Sequence, residues 1–226
     1  ALRGHFDPDV SGEQFCARRL LTRIHLYTKE RLRREIEPVC AQDFLRFLLR
    51  WQHATPDTRR EGKRGVLAVV EQMQGFELPA GAWESTLLAS RVEKYRPGWL
   101  DALCLSGEVG WGRLSPRDLG APRARGGSGS PSRATPLGLV LRADLDWLLH
   151  AARGGESPAE PPPGAALELL EALKTRGALF SRDLAGLLGR LPVEVEHGLW
   201  DIVARGFVTA DSFEAVRSLL GARERE

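Results

Sequence analysis

The amino-acid sequence predicts a mainly α-helical protein with short β-hairpins, organised as tandem winged-helix modules. Three observations support this prediction. Apolar residues recur at helical spacing through most of the chain. The spacing changes to alternation in two short stretches that flank a long Gly-rich loop, which is typical of a hairpin. Helices followed by a strand-like run then appear again after a proline-rich segment, and this order fits a second helix-turn-helix variant.

Helices are predicted throughout the first half of the chain. Ser11 and Gln14 have the spacing of a capping box, which predicts a helix running toward Glu35. Four apolar residues at positions i, i+3, i+4 and i+7 predict a second helix: Phe44, Phe47, Leu48 and Trp51. Further helices are predicted around residues 66–73, 83–92 and 99–105, and Pro97 suits the first position of the last one.

A long hairpin is predicted after these helices. Residues 108–114 alternate between apolar and polar types, and residues 136–141 form a second strand candidate. The intervening residues 115–135 are rich in Gly, Ser, Pro and Arg, and their low apolar content predicts a long flexible wing. The second winged-helix module therefore covers residues 61–152, and an N-terminal helical or winged-helix module covers residues 1–60.

A proline-rich linker is predicted at residues 153–163, followed by a third winged-helix module at residues 164–222. Helical stripes predict three helices in this module. Ser181 is predicted to cap the second of them, and Pro192 to open the third. Gly206 has the position of a C′ glycine. A short strand is predicted at 207–210, and Asp211 is predicted to cap a last helix.

Composition limits the class of protein. The chain has 226 residues and a net charge of +2, and its basic residues are 28 Arg and 4 Lys. No apolar run has the length of a membrane helix, and no signal peptide opens the chain. The three cysteines and the absence of a Cys-x-x-Cys pair predict a reducing, cytoplasmic setting without disulfides, and no metal-ligand spacing occurs. Because the chain starts at Ala1 and its single methionine is Met73, we expect it to be part of a longer polypeptide.

The positive charge is concentrated in one region. Residues 44–66 carry six basic and two acidic side chains, whereas residues 156–215 carry five basic and ten acidic ones. Arg59, Arg60, Lys63 and Arg64 precede or begin a helix, where cations oppose the helix dipole, so a phosphate-gripping role is a candidate explanation. An exposed, solvated charged loop is the alternative. The full set of candidate DNA-contact residues is Arg46, Arg50, Arg59, Arg60, Lys63, Arg64, Arg123, Arg125 and Trp111, the last by base stacking or else as a core residue.

No catalytic constellation is present in the sequence. The run Gly62-Lys63-Arg64 lacks the hydroxyl residue and the first glycine of a phosphate-binding loop, and no Gly-x-Ser-x-Gly elbow occurs. Gln72 and Gln74 flank Met73, and their amides are weak candidates for positioning a water or a base edge. Exposed polar positions at a helix end are the alternative for these two glutamines. We therefore predict no cofactor for this segment.

Several long strings resemble the Lhr (large helicase-related) family of bacterial ATP-dependent superfamily 2 helicases. They lie at residues 12–16, 23–39, 44–53, 71–83, 99–108, 111–114 and 195–210. The resemblance implies a position early in the C-terminal extension of such a helicase, which is built from tandem winged helices and is similar to AlkZ-type DNA glycosylases. It implies a motor outside this chain that uses ATP and Mg²⁺, a role in DNA repair, and single-stranded or damaged DNA as partner. Gln72-Met73-Gln74 is similar to the Gln-x-Gln motif of the AlkZ-type enzymes, over three residues only.

Three interpretations follow from the sequence. The first is a DNA-binding tandem winged-helix segment of an Lhr-type helicase. The second is a contribution to an AlkZ-like glycosylase module through Gln72 and Gln74. The third is a scaffold through which the helicase forms homo-oligomers. Within the third module, residues 192–205 carry Glu194, Glu196 and Asp201 and would be repelled by phosphates, so we expect this module to pack on protein rather than read a groove.

Overall fold

Helices make up most of the described chain, as the hydrophobic spacing predicts. The computed structural model describes residues 1–35, 38–115 and 132–222. These residues form seven short strands: β1 (Leu2–Gly4), β2 (Gln14–Cys16), β3 (Arg60–Glu61), β4 (Leu78–Pro79), β5 (Val92–Glu93), β6 (Val109–Gly112) and β7 (Pro136–Leu141). The helices are α1 (Arg18–Glu35), α2 (Ala41–Trp51), α3 (Gly62–Met73), α4 (Ala89–Arg91), α5 (Pro97–Leu105), α6 (Leu145–Arg153), α7 (Ala165–Arg176), α8 (Ser181–Leu188), α9 (Pro192–Ala204) and α10 (Glu214–Ala222). Among these helices, none combines the length and apolar content needed to cross a membrane.

The first of two units, Ala1–Leu48, contains the β1–β2 hairpin, α1 and most of α2. The predicted capping box at Ser11 is wrong, because α1 begins only at Arg18. The Gln14 side chain is used elsewhere: its Oε1 accepts from the backbone N–H groups of Phe6 at 2.7 Å and Asp7 at 2.9 Å. The glutamine therefore holds the turn of the hairpin and is not available to cap a helix.

The second unit, Leu49–Glu226, contains a winged helix in its first part. In chain order this part has α3, β4, a π-helical segment at Trp83–Leu88 that continues into α4, then α5, β6 and β7. The strands form a three-stranded antiparallel sheet in the order β4-β7-β6, with Trp111 opposite Leu139. The predicted hairpin strands are thus confirmed, while most of the wing between them lies outside the described residues.

One hydrophobic core spans the predicted second and third modules. It includes Val66 of α3, Trp83 and Leu100 together with Phe213 and Val216 near the end of the described chain, and each of these side chains is at most 1% exposed. A second cluster packs α7, α8 and α9 against one another, with Leu169 and Ile202 fully buried. The second unit is therefore held together by apolar contacts that cross the predicted module boundaries.

The segment predicted as a linker is tied to the residues on both of its sides. Arg153 belongs to α6, and its guanidinium donates to the carbonyl oxygens of Leu114 and Gly206 at 3.0 and 2.7 Å. Pro161 is buried, and Glu160 pairs with Lys174 at 2.9 Å. Polar contacts and one buried proline thus order a segment whose composition alone predicts a flexible connection.

Two details near the chain end also differ from the predictions. Residues 207–210 form no strand, although the Thr209 hydroxyl donates to the Trp111 carbonyl oxygen and holds this segment along β6. The last helix begins at Glu214, whose N–H donates to the Ser212 hydroxyl at 3.1 Å, so Asp211 is not its cap. The first error comes from the contact of residues 207–210 with β6, and the second from a one-residue shift in the capping position, from Asp211 to Ser212. Periodicity reveals neither of them.

Candidate nucleic-acid interface

The predicted basic cluster lies beside a two-stranded parallel sheet. Arg60 of β3 pairs with Val92 of β5, and Glu61 pairs with Glu93. Because the strands are parallel, the residues that follow each strand begin at the same edge of this small sheet. Gly65 permits the close return of α3 against β3, since a Cβ there would lie 3.0 Å from the backbone carbonyl carbon of Arg60. We refer to the edge of this sheet at which β3 ends with Glu61 and β5 ends with Glu93 as the basic edge.

Two of the four predicted cations form ion pairs with neighbouring strands and loops. Arg59 Nη1 lies 3.3 Å from Glu93 Oε2, and Lys63 Nζ lies 3.0 Å from Glu108 Oε1. The hydrogen bond from Lys63 is the main reason that the pKa of Glu108 is lowered, with the Ser106 hydroxyl adding to it. Arg59 and Lys63 therefore help to hold the fold around the basic edge.

The other two cations, Arg60 and Arg64, are exposed. Arg60 Nε donates to His53 Nε2 at 3.2 Å, while His53 Nδ1 lies 3.0 Å from the Thr58 carbonyl oxygen. This bond leaves the terminal nitrogens of the Arg60 guanidinium to solvent. Within the described residues, Arg64 has no carboxylate within ion-pair distance. These two side chains are thus the ones that can reach an external phosphate without first breaking an ion pair.

The remaining predicted arginines lie elsewhere. Arg50 Nη1 pairs with Asp57 Oδ2 at 2.6 Å, and the pKa of Asp57 is lowered mainly by the Thr55 hydroxyl, with Arg50 adding to the effect. Arg46 belongs to the first unit and pairs with Asp43 at 2.7 Å. All four of these side chains are more than half exposed, so neither pair contributes much to stability. Arg123 and Arg125 lie outside the described residues.

Lys94 and Arg96 are the basic residues that the sequence analysis missed. They follow β5, are exposed, and therefore lie at the same edge as the start of α3. The Arg96 guanidinium carbon is 5.9 Å from the centre of the Trp99 ring. Their position in the sequence could have indicated them. They lie just before Pro97, and this proline marks the start of α5, the helix that precedes the wing.

Comparisons with known proteins identify the family of this winged helix. Residues 39–125 match the family model described as the large helicase-related protein, winged-helix domain. The chain carries the winged-helix domain of the Lhr family. It is 33% identical over 231 residues to the Lhr helicase/probable uracil glycosylase of Mycolicibacterium smegmatis, covering 99% of this chain and 14% of that protein. It is 26% identical over 216 residues to the Lhr helicase/uracil glycosylase of Escherichia coli, covering 87% of this chain and 13% of that protein.

The chain thus spans about one seventh of the length of these curated Lhr relatives. The resemblance inferred from the sequence strings is confirmed, as is the fold class of helices with short hairpins in a winged-helix arrangement.

Trp111 is a core residue of this Lhr winged helix. Its side chain is 2% exposed, and its indole N–H donates to the Ser212 carbonyl oxygen at 3.1 Å. The ring packs against Trp200 and Phe213 with centroid separations of 6.1 and 6.0 Å. A ring enclosed in this way has no free face for a base, so Trp111 is excluded from the candidate interface.

Gln72 and Gln74 hold the end of α3 in place. Gln74 Nε2 donates to Asp144 Oδ2 at 2.8 Å, and its Oε1 accepts from the Leu141 N–H at 3.1 Å. Gln72 Nε2 donates to the Trp51 carbonyl oxygen at 2.8 Å. Both amide nitrogens are already used inside the fold, and Gln72 Oε1 is buried, so among the described residues these glutamines hold the fold.

Proposed function

We propose that this chain is a DNA-binding segment of an Lhr-type ATP-dependent DNA helicase that acts in DNA repair in the cytoplasm. The motor, with its ATP and Mg²⁺, would belong to parts of the polypeptide outside these residues. The single observation that carries the proposal is the basic edge, where Arg60 and Arg64 are exposed and have no ion-pair partner among the residues that the structure describes. Single-stranded or damaged DNA would be the partner, held through its phosphates.

In the described part of the chain, the third module lacks a surface suited to DNA, which supports the assignment of DNA binding to the basic edge. One face of its helix α9 is buried, with Val195 and Ile202 in the core and Trp200 packed against Trp111. The Glu194 carboxylate accepts from the Leu191 N–H at 3.0 Å at the start of α9. A helix that buries its apolar face and carries the carboxylates of Glu194 and Glu196 outside the core does not suit a phosphate-lined groove. The contact with the hairpin agrees with our expectation that this module packs on protein.

The test is the salt dependence of DNA binding by the 226-residue chain. Fluorescence anisotropy is measured with a labelled 30-nucleotide strand of mixed sequence and with its duplex. It gives Kd at a series of NaCl concentrations from 50 to 200 mM. Replacing Arg60 and Arg64 by Ala should lower the log–log slope by roughly 1.4 for the strand and 1.8 for the duplex, since each phosphate contact contributes about 0.7 or 0.9. Glu61→Gln, which removes an exposed carboxylate at the same edge, should tighten binding about twofold.

The matched control removes the same charge from another place. Arg176 and Arg182 are exposed residues of the third module, and their double Ala variant should bind with an unchanged slope. Absence of binding by the wild-type chain at 50 mM NaCl would refute the DNA-binding proposal. An equal loss of slope in both double variants would show that net charge, and not the basic edge, governs binding.

A further inference from the structure

Helix α5 has the place of a recognition helix in the winged helix. It follows the π-helical segment and α4, and it precedes the β6–β7 hairpin. In a helix-turn-helix protein the second helix of the motif lies in the major groove and its N-terminal residues contact base edges. The surface of α5 therefore decides whether this module reads a DNA sequence.

The composition of α5 does not suit base reading. The helix contains no Arg, Lys, Asn or Gln, which are the side chains that form bidentate contacts with purines. Leu100, Leu103 and Cys104 are buried in the core. The helix therefore presents none of these bidentate donors to base edges.

Arg217 of α10 occupies one side of α5. Its guanidinium donates to Asp101 Oδ1 at 2.8 Å and to the Pro97 carbonyl oxygen at 3.4 Å, and it also donates to Glu84 Oε2 at 2.7 Å. The third module is thus attached to the helix at the place where a groove would have to receive it. A DNA duplex could approach this part of α5 only if Arg217 left all three partners.

The basic residues just before α5 have no such restriction. Lys94 and Arg96 are exposed, and within the described residues neither has a carboxylate within ion-pair distance. They follow β5 as Lys63 and Arg64 follow β3, so the parallel pairing brings two separate basic stretches to one edge. The cations from these stretches therefore lie at the same edge of the sheet, just before the start of α5.

The backbone of Lys94 is unusual in a way that favours a role for its side chain. Its φ is +48°, in the left-handed region that glycine adopts at least cost. A lysine at an exposed left-handed position is disfavoured by the backbone conformation itself, and such strain is typical of positions where the side chain has a function. Glycine would fit this backbone at least cost, but it could not supply the exposed charge that Lys94 places at the basic edge.

We propose that Lys94 and Arg96, together with Arg60 and Arg64, form a track that binds the DNA backbone without reading sequence, and that α5 does not enter the major groove. This inference rests on the proposed DNA-binding function and assigns its contacts. Phosphate contacts carry no direct sequence information. DNA therefore crosses the edge of the β3–β5 sheet, and the helix that usually reads bases serves as a junction with the third module.

The experiment uses the 226-residue chain and the anisotropy assay described above. The variant Lys94→Ala/Arg96→Ala should lose roughly 1.8 from the log–log slope on the duplex, and Arg176→Ala/Arg182→Ala should lose nothing. Two duplexes of unrelated sequence should bind wild type with Kd values within about twofold of each other. An unchanged slope in the Lys94/Arg96 variant, or a tenfold preference between the duplexes, would overturn the inference.

Lys94→Gly separates a binding effect from a folding effect. It removes one cation and relieves the left-handed backbone, so Tm should stay equal or rise while the slope on duplex DNA falls by about 0.9. A fall in Tm together with an unchanged slope would overturn the role of Lys94. If wild type binds neither strand nor duplex, the proposed function itself fails, which is a different result from binding that ignores these two residues.

Discussion

Arg153 offers a direct test of how the second unit is held together. Its guanidinium donates to three backbone carbonyl oxygens: Leu114 at 3.0 Å, Arg113 at 3.3 Å and Gly206 at 2.7 Å. These bonds join the end of the hairpin to the turn after α9. Burial lowers the pKa of Arg153, with Glu77 opposing the effect, yet the group remains charged at neutral pH. Arg153→Ala removes all three donors at once.

The expected loss of stability can be worked from these contacts. A hydrogen bond to a charged group contributes about 1.5–3 kcal/mol when buried, but Arg153 is half-buried and water can reach the vacated carbonyls. About 1 kcal/mol per bond gives a loss of roughly 3 kcal/mol in the free energy of unfolding. At about 2–4 °C per kcal/mol for a unit of this size, Tm should fall by roughly 6–12 °C.

Urea unfolding followed by tryptophan fluorescence is a suitable assay, because Trp111 and Trp200 lie at the junction. Arg142→Ala is the control: this side chain is 42% exposed and its nearest carboxylate, Asp211, is 4.0 Å away, so we expect a loss below about 0.5 kcal/mol. The reasoning fails if Arg153→Ala unfolds within about 0.5 kcal/mol of wild type. It also fails if Arg142→Ala costs as much.

Three further predictions concern packing and burial. Gly198→Ala should destabilise the chain by about 1 kcal/mol in the same urea assay, because its Cβ would lie 2.5 Å from Leu169 Cδ1 in the core and overpacking costs more than helix propensity returns. Gly186→Ala, on α8 with open space around it, should stabilise by up to about 1 kcal/mol, and the opposite order would contradict the packing argument. Burial raises the pKa of the Cys104 thiol to about 11, so a thiol reagent at pH 8 should label Cys16 and Cys40 in the native chain and Cys104 only after unfolding; fast labelling of all three would contradict its burial.

The sequence by itself determined most of the helices and the hairpin. Apolar spacing located α3, α7 and α9, with the bounds of α9 right to one residue and the start of α3 four residues too late, and alternation located the two strands of the wing. Local signals were sufficient there because each element buries one face of its own period. The same reasoning failed at Ser11. Gln14 has the spacing of a capping box, but its side chain accepts hydrogen bonds from the backbone of Phe6 and Asp7 in the turn that precedes it.

Only the tertiary structure decided which predicted site residues are free. Arg59, Arg60, Lys63 and Arg64 look alike in sequence, but two of them pair with carboxylates 34 and 45 residues away. Trp111 depends on Ser212, 101 residues later, for its indole partner. Pairing over such separations has no signature in local spacing. The parallel pairing of β3 with β5 is likewise invisible to periodicity, because each strand has only two residues, and it is this pairing that brings Lys94 to the basic edge.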